Sequence, residues 1–108
     1  MPGARAGSVS WIDGSGNLWL FGGFWSGEGG YNDLWRFDGA NWTWISGSSS
    51  FDQQGVYGTK GSPNPANVPG ARSSSVSWMD GSGNLWLFGG LYFIGNVSFL
   101  NDLWRFEY

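Results

Sequence analysis

Short runs that alternate small with large side chains, or that are apolar throughout, recur along this chain. Each is stopped by glycine, asparagine or aspartate. Ser8-Val9-Ser10-Trp11-Ile12 alternates small and large, the period of two expected of a strand. Asp13-Gly14-Ser15-Gly16-Asn17 follows as a turn cluster. Leu18-Trp19-Leu20-Phe21 is apolar at every position, which predicts a short strand buried on both faces. Gly22-Gly23 ends it. Leu34-Trp35-Arg36-Phe37 reads as a third strand and Asp38-Gly39-Ala40-Asn41 as a turn. Trp42-Thr43-Trp44-Ile45, aromatic and β-branched, reads as a fourth. No stretch has a helical period.

This pattern is written twice. Residues 2–23 and 69–90 align at an offset of 67 and are identical at 19 of 22 positions. The exceptions are Ala6/Ser73, Gly7/Ser74 and Ile12/Met79. Asn-Asp-Leu-Trp-Arg-Phe at 32–37 recurs at 101–106, now at an offset of 69. Eight residues separate Gly23 from Asn32 and ten separate Gly90 from Asn101, so the change of offset lies within one loop. One unit has been copied, with its length change confined to that loop. A repeat of several short strands that cannot bury its faces alone predicts stacking against similar neighbours.

An apolar strand ending in Gly-Gly, then a loop, Asn-Asp-Leu-Trp, a turn and a Trp-containing strand follow in that order: LWLFGG, NDLWRFD, NWTW. In this succession the chain resembles the kelch repeat of β-propellers. It also resembles a Trp-rich bacterial variety of that repeat, in which an insertion accompanies an NVPGAR lead-in. The resemblance covers residues 2–46 and 69–107. It implies an all-β fold of propeller blades, each a four-stranded antiparallel meander sheet. Residues 1–46 would be the first blade and 69–108 a second blade lacking its last strand. Residues 47–68 would be a Gly/Ser/Pro/Asn-rich insertion between them. That insertion is the departure, because it carries the repeat beyond the ~50 residues usual for kelch. Propellers have about four to eight blades, so the ring would be incomplete in one chain. A self-associating homo-oligomer or polymer is therefore expected, closing as six blades in a trimer or eight in a tetramer, or continuing as a filament.

Composition narrows the chemistry. The chain has 108 residues, of which 41% are hydrophobic and only 12% charged, too apolar for a disordered segment. No apolar run approaches the ~20 residues of a membrane helix, and no charged-then-apolar leader opens the chain, so membrane insertion is not expected. Five basic residues are scattered through a chain of net charge −3. The basic stripe of a nucleic-acid binder is missing. The absence of cysteine excludes disulfides and leaves the redox compartment open. The absence of histidine removes the commonest general base and metal ligand.

The repeat also weighs against catalysis. Asp13 matches Asp80, Asp33 matches Asp102, Asp38 matches Glu107, Arg5 matches Arg72 and Arg36 matches Arg105. Residues copied with the scaffold are expected as turn anchors and as buried or inter-blade pairs; the competing reading is a ring of carboxylates lining a channel. A copper radical oxidase on the scaffold this chain resembles would need histidines and a cysteine-linked tyrosine. Only Glu28 and Asp52 are acids without a repeat partner, and nothing in the sequence unites them. Asp13–Asn17 places oxygens at alternate positions, but Phe24 stands where a calcium loop needs its closing glutamate. No catalytic, metal or cofactor site is expected.

In a meander the loops at 24–31 and 91–100 share one end with the 47–68 insertion. That end carries most of the variation between copies, and variable loops on a repeated scaffold are where recognition usually sits. Phe24, Trp25, Tyr31, Leu91, Tyr92, Phe93, Ile94 and Phe99 are the candidate interface residues. The alternative is that Phe51, Val56 and Tyr57 of the insertion cover them. Asn41 and Asn96 open possible glycosylation triplets. The expected function is a non-catalytic scaffold or binding module whose partner is itself, with another protein or a glycan as further partners. A carbohydrate-binding propeller with aromatic platforms is the alternative, and a fragment of a propeller enzyme ranks last.

Overall fold

The computed structural model describes residues 1–25, 29–92 and 98–107. Among them are nine strands and no helix. They are β1 (Val9–Ile12), β2 (Leu18–Phe21), β3 (Phe24–Trp25), β4 (Gly29–Gly30), β5 (Leu34–Phe37), β6 (Trp42–Ser46), β7 (Val76–Met79), β8 (Leu85–Tyr92) and β9 (Ser98–Phe106). The first repeat forms a four-stranded antiparallel sheet in the order β1-β2-β5-β6. The second forms a three-stranded antiparallel sheet, β7-β8-β9, and β3-β4 is a separate two-stranded hairpin.

The turn after β1 shows why the pattern folds locally. Asp13 N–H donates to the Asn17 carbonyl at 2.9 Å. One carboxylate oxygen of Asp13 accepts from the backbone of Ser15 and Asn17, and the other from the Asn17 amide and the Trp19 indole. Asp80 repeats every one of these bonds, with Trp86 in place of Trp19. A single carboxylate thus closes the hairpin and ties it to the indole of the next strand. Burial opposes the charge on Asp13, but its donors outweigh burial and hold the carboxyl below its ordinary value. The Trp86 indole and the backbone donors bring Asp80 to about 2.

Registers place Val9, Trp11, Trp19, Phe21 and Leu34 on one face of the first sheet. All five are buried. They pack on Leu85 and Leu87 of the second sheet, with Met79, Trp104 and Phe106 at the margin. The rings of Trp19 and Phe106 lie 5.4 Å apart. The Trp11 indole donates to the Trp78 carbonyl, so β1 and β7 run as neighbours. The core is therefore the interface between the repeats, with one face contributed by each.

Burial on both faces of Leu18–Phe21 is not what the structure shows. In β2, Trp19 and Phe21 are buried while Leu18 and Leu20 are half-exposed. In the identical stretch of β8, Leu85 and Leu87 are buried, Trp86 is half-buried and Phe88 is exposed. Each copy buries only the face that meets its neighbour, and the neighbours lie on opposite sides. The stretches 24–31 and 91–100 also differ from the loops expected. Their described parts are hairpin strands, β3-β4 in the first repeat and the outer ends of β8 and β9 in the second.

Asp80 predicts an acid dependence. Its folded pKa of about 2 lies below the ordinary 3.8, so its contribution is complete above about pH 4 and disappears as pH falls towards 2. Urea midpoints across that window should drop more steeply for the native chain than for Asp80→Asn. Equal slopes would show that the Asp80 bonds do not stabilise the fold.

Candidate functional site

Two arginine–aspartate pairs fasten the segment before each first strand, in the first repeat to the residue before β5 and in the second to the equivalent position within β9. Arg5 spans Asp33 with both terminal nitrogens, at 2.5 and 3.0 Å. One of those nitrogens also reaches the Gly22 carbonyl, and Asp33 takes the Trp35 indole as well. The guanidinium lies 3.8 Å above the Tyr31 ring, and both side chains of the ion pair are only 6% exposed. Arg72 repeats the arrangement on Asp102, the Gly89 carbonyl and Trp104. Here Tyr57 of the insertion adds a fourth donor. Burial opposes the charge on Asp102, yet Arg72, Tyr57 and Trp104 hold its carboxyl well below the usual range. The other copied arginines, Arg36 and Arg105, lie over the rings of Trp19 and Trp86. The copied charges serve the scaffold within each repeat.

The backbone around Arg72 has a second task. Residues 69–72 act as a strap laid across the end of the first repeat. Gly23 N–H donates to the Arg72 carbonyl at 2.8 Å, and Arg72 N–H donates to the Tyr31 carbonyl at 3.2 Å. The strap thus inserts between Gly23 and Tyr31, which are otherwise joined by a bond from Tyr31 N–H to the Gly23 carbonyl. The Asn32 amide holds the Pro69 carbonyl and accepts from Ser48 N–H. Ser74 N–H donates to the Gly7 carbonyl. The seat demands glycine: at Gly22, whose φ is +68°, a β-carbon would lie 2.7 Å from the Arg72 carbonyl oxygen. Beside it, a β-carbon on Gly30 would meet the Ala71 methyl at 3.3 Å.

The insertion supports this seat. Its Asp52 exchanges bonds with Gly30, accepting the Gly30 N–H on its carboxylate and donating its own N–H to the Gly30 carbonyl. Phe51 packs on Tyr31 with ring centres 5.0 Å apart. Val56 and Val68 bridge, and Tyr57 packs on Trp104. Asp52, one of the two acids without a repeat counterpart, is thus a clasp in the structure; Glu28 lies outside the described residues.

The candidate interface residues divide. Tyr31 is buried under Arg5 and Phe51. Phe24 is half-buried and bridged to Ala6, and Leu91 is half-buried and bridged to Ser73. Tyr92 is half-buried and pairs with Ser98; burial, then the charge of Asp52, raises its phenol. Trp25 and Phe99 are exposed, on different hairpins. Phe93, Ile94 and Asn96 lie outside the described residues. Asn41 is exposed, with its backbone closing the Asp38 turn.

Sequence reading missed the larger surfaces, which are sheet faces rather than loops. Val76, Trp78, Phe88 and Leu103 are 57, 44, 41 and 55% exposed. Their counterparts Val9, Trp11, Phe21 and Leu34 are 8% exposed or less. On the far side of the first sheet, Ile12 and Trp44 are exposed, and Leu18, Leu20, Trp35, Phe37 and Trp42 are half-exposed. Their counterparts in the second sheet include the buried Leu85 and Leu87. The identity of the two copies was the available signal: the same residues must be buried in one copy and bare in the other at the two ends of a stack. No protein-family model, curated protein or solved structure matches this chain.

The Arg5–Asp33 pair yields a stability test. Asp33→Asn leaves a nearly buried guanidinium without its counter-charge, which should cost about 3–5 kcal/mol. Urea denaturation should show this as a large fall in midpoint at unchanged slope. A change within about 0.5 kcal/mol would place the pair among surface ion pairs of little weight.

Proposed function

We propose that this chain is a non-catalytic, kelch-like propeller module whose function is self-association. The bare face of the second sheet in one copy packs on the bare face of the first sheet in the next. One observation carries this reading. The buried interface inside the chain joins Val9, Trp11, Trp19, Phe21 and Leu34 to Met79, Leu85, Leu87, Trp104 and Phe106. At these ten positions the two outer faces bear the same residues, with Ile12 in place of Met79. Ile45, which joins the internal interface from β6, has no counterpart in the three-stranded second sheet, and the first sheet's outer face adds Trp42 and Trp44. Val76, Trp78, Trp86, Phe88 and Leu103 on one side meet Ile12, Leu18, Leu20, Trp35 and Phe37 on the other. A surface able to bury its counterpart within the chain can bury the identical counterpart on a second chain.

The contact is heterologous, since each copy uses two different faces. If its rotation closes, the result is a ring of blades; if not, a filament. An exposed apolar patch of this extent on a small chain is itself a mark of an interface. Binding of other proteins or glycans would then fall to the hairpin end, where Trp25 and Phe99 stand exposed.

Light scattering across a dilution series tests the proposal. A trimer, a tetramer or a longer polymer is expected for the native chain. Trp78→Glu should weaken association by 2 kcal/mol or more, about 30-fold in dissociation constant. A native monomer at every concentration, or a variant that associates like the native chain, would contradict it.

A further inference from the structure

The strap seat occupied in the first repeat exists again in the second. Lined by Phe88–Leu91, Phe99–Leu100 and Val76 is an open cleft of about 360 Å³ on the second sheet. Position by position, its walls are the counterparts of Phe21–Phe24 and Gly30–Tyr31, over Val9. In the first repeat Gly22, Gly23, Gly30 and Tyr31 among these meet Ala71 and Arg72. Asn101, counterpart of the Asn32 that grips the Pro69 carbonyl, is exposed.

The matching strap is also on the chain. Pro2-Gly3-Ala4-Arg5 is identical to Pro69-Gly70-Ala71-Arg72. Gly70, Ala71 and Arg72 are buried, whereas Gly3 and Ala4 are exposed and Arg5 is half-exposed. Arg5 already has its side chain on Asp33, as Arg72 has on Asp102. What Arg5 lacks is the contact Arg72 makes with its backbone, on the repeat before its own.

The empty seat also has a different backbone form. In the first repeat the inserted strap separates β2 from β3 and β4 from β5. In the second, Gly90 pairs directly with Leu100, and β8 and β9 run unbroken through the same positions. One long hairpin stands where the seat is empty and two short pieces where it is filled, although beyond the shared Gly-Gly the two stretches also differ in sequence and length. The glycines that permit both forms keep their conformations: Gly89 and Gly90 have φ of +67° and +112°, against +68° and +102° at Gly22 and Gly23.

We infer that residues 2–5 of a second copy of this chain lie in the cleft of the second repeat. There Gly90 N–H would donate to the Arg5 carbonyl, Arg5 N–H to the Leu100 carbonyl, and the Asn101 amide to the Pro2 carbonyl. This rests on the sheet-face association proposed above and deepens it. Stacking the bare faces in the register of the internal interface brings this strap to this seat, and the Gly90–Leu100 pairing of the receiving copy opens to admit it as Gly23 and Tyr31 admit Arg72. The seat is modified at three places, where Leu91 replaces Phe24, Phe99 replaces Gly30 and Leu100 replaces Tyr31, and only at Phe99 does a side chain stand where the first repeat has none. A β-carbon fits there with a small shift of the strap, and the exposed ring would lie along it. Edge pairing by the strap fixes direction and register, which flat apolar faces specify poorly.

The chain has no cysteine, so two single-cysteine variants give a clean test. In the first repeat a β-carbon added at Gly30 would stand 3.3 Å from that of Ala71, close to the ~3.5–4.5 Å a disulfide spans. Ala4→Cys and Phe99→Cys, mixed and oxidised at a concentration where the native chain associates, should give mainly the mixed dimer. Ala40→Cys, in a turn at the opposite end of the sheet, replaces Ala4→Cys in the control and should give at least tenfold less. Equal yields, with association intact by light scattering, would overturn the strap inference and leave the face-to-face reading standing. A native chain that stays monomeric would overturn both. Ala4→Trp should lower the association constant at least tenfold while leaving the thermal midpoint of the dilute chain unchanged, because Ala4 is exposed before assembly. Unchanged association would count against the strap.

Discussion

Everything in this structure depends on one apolar contact, the face of Val9, Trp11, Trp19, Phe21 and Leu34 against Leu85, Leu87 and Phe106. Neither sheet has enough apolar surface beneath it to fold as a single layer. A four-stranded sheet exposing both faces leaves each large aromatic in water, where burial would return on the order of 1.5–3 kcal/mol apiece. The chain meets this constraint by supplying two copies of one sheet and laying unlike faces together. The same constraint leaves one unlike face bare at each end of the pair. The self-association proposed above rests on this, because the bare faces largely repeat the buried ones.

Polar groups convert that contact into a defined geometry. Asp13 and Asp80 close their hairpins and reach the indoles of Trp19 and Trp86, so the aromatic faces are aimed as well as formed. Arg5 and Arg72 draw the lead-in segments onto the starts of β5 and the equivalent part of β9. Arg72 works in two directions. Its side chain belongs to its own repeat, while its backbone is threaded into the seat of the repeat before it. Two sheets that could slide on an apolar surface are thereby held in one register. The 47–68 insertion contributes through Asp52, Phe51 and Tyr57, which brace that strap and its seat.

Much of the fold was legible from the amino acids. Turn chemistry at Asp13–Asn17 and Asp38–Asn41 and the strand patterns around Trp11, Trp19 and Trp35 locate the sheet strands and their antiparallel order. The structural use of the paired acids and arginines followed from their being copied. Burial was harder to read, because Leu18–Phe21 and Leu85–Phe88 are identical letters in different surroundings. Which face of an all-apolar strand is covered depends on the neighbour, and local sequence does not encode its side. The described hairpin strands at Gly29–Gly30 and Ser98–Leu100 were obscured for a similar reason. Glycine-rich and serine-containing stretches read as loops, yet β3-β4 and the outer β8-β9 ladder are held by backbone pairing that needs no particular side chain. The strap was visible only as a repeated Pro-Gly-Ala-Arg, with no hint that its second copy threads between Gly23 and Tyr31.

The most direct measurement is amide hydrogen exchange in the native chain and in Leu87→Ala, at a concentration low enough to keep molecules apart. Leu87 belongs to the second sheet, and truncating so buried a leucine should cost about 2–5 kcal/mol. If the sheets are stable only through each other, protection should fall by the same free energy in β1-β2-β5 as in β7-β8-β9. Loss confined to β7-β8-β9, with the first sheet as protected as before, would show that the first repeat stands alone and that the contact between faces is not what holds this molecule together.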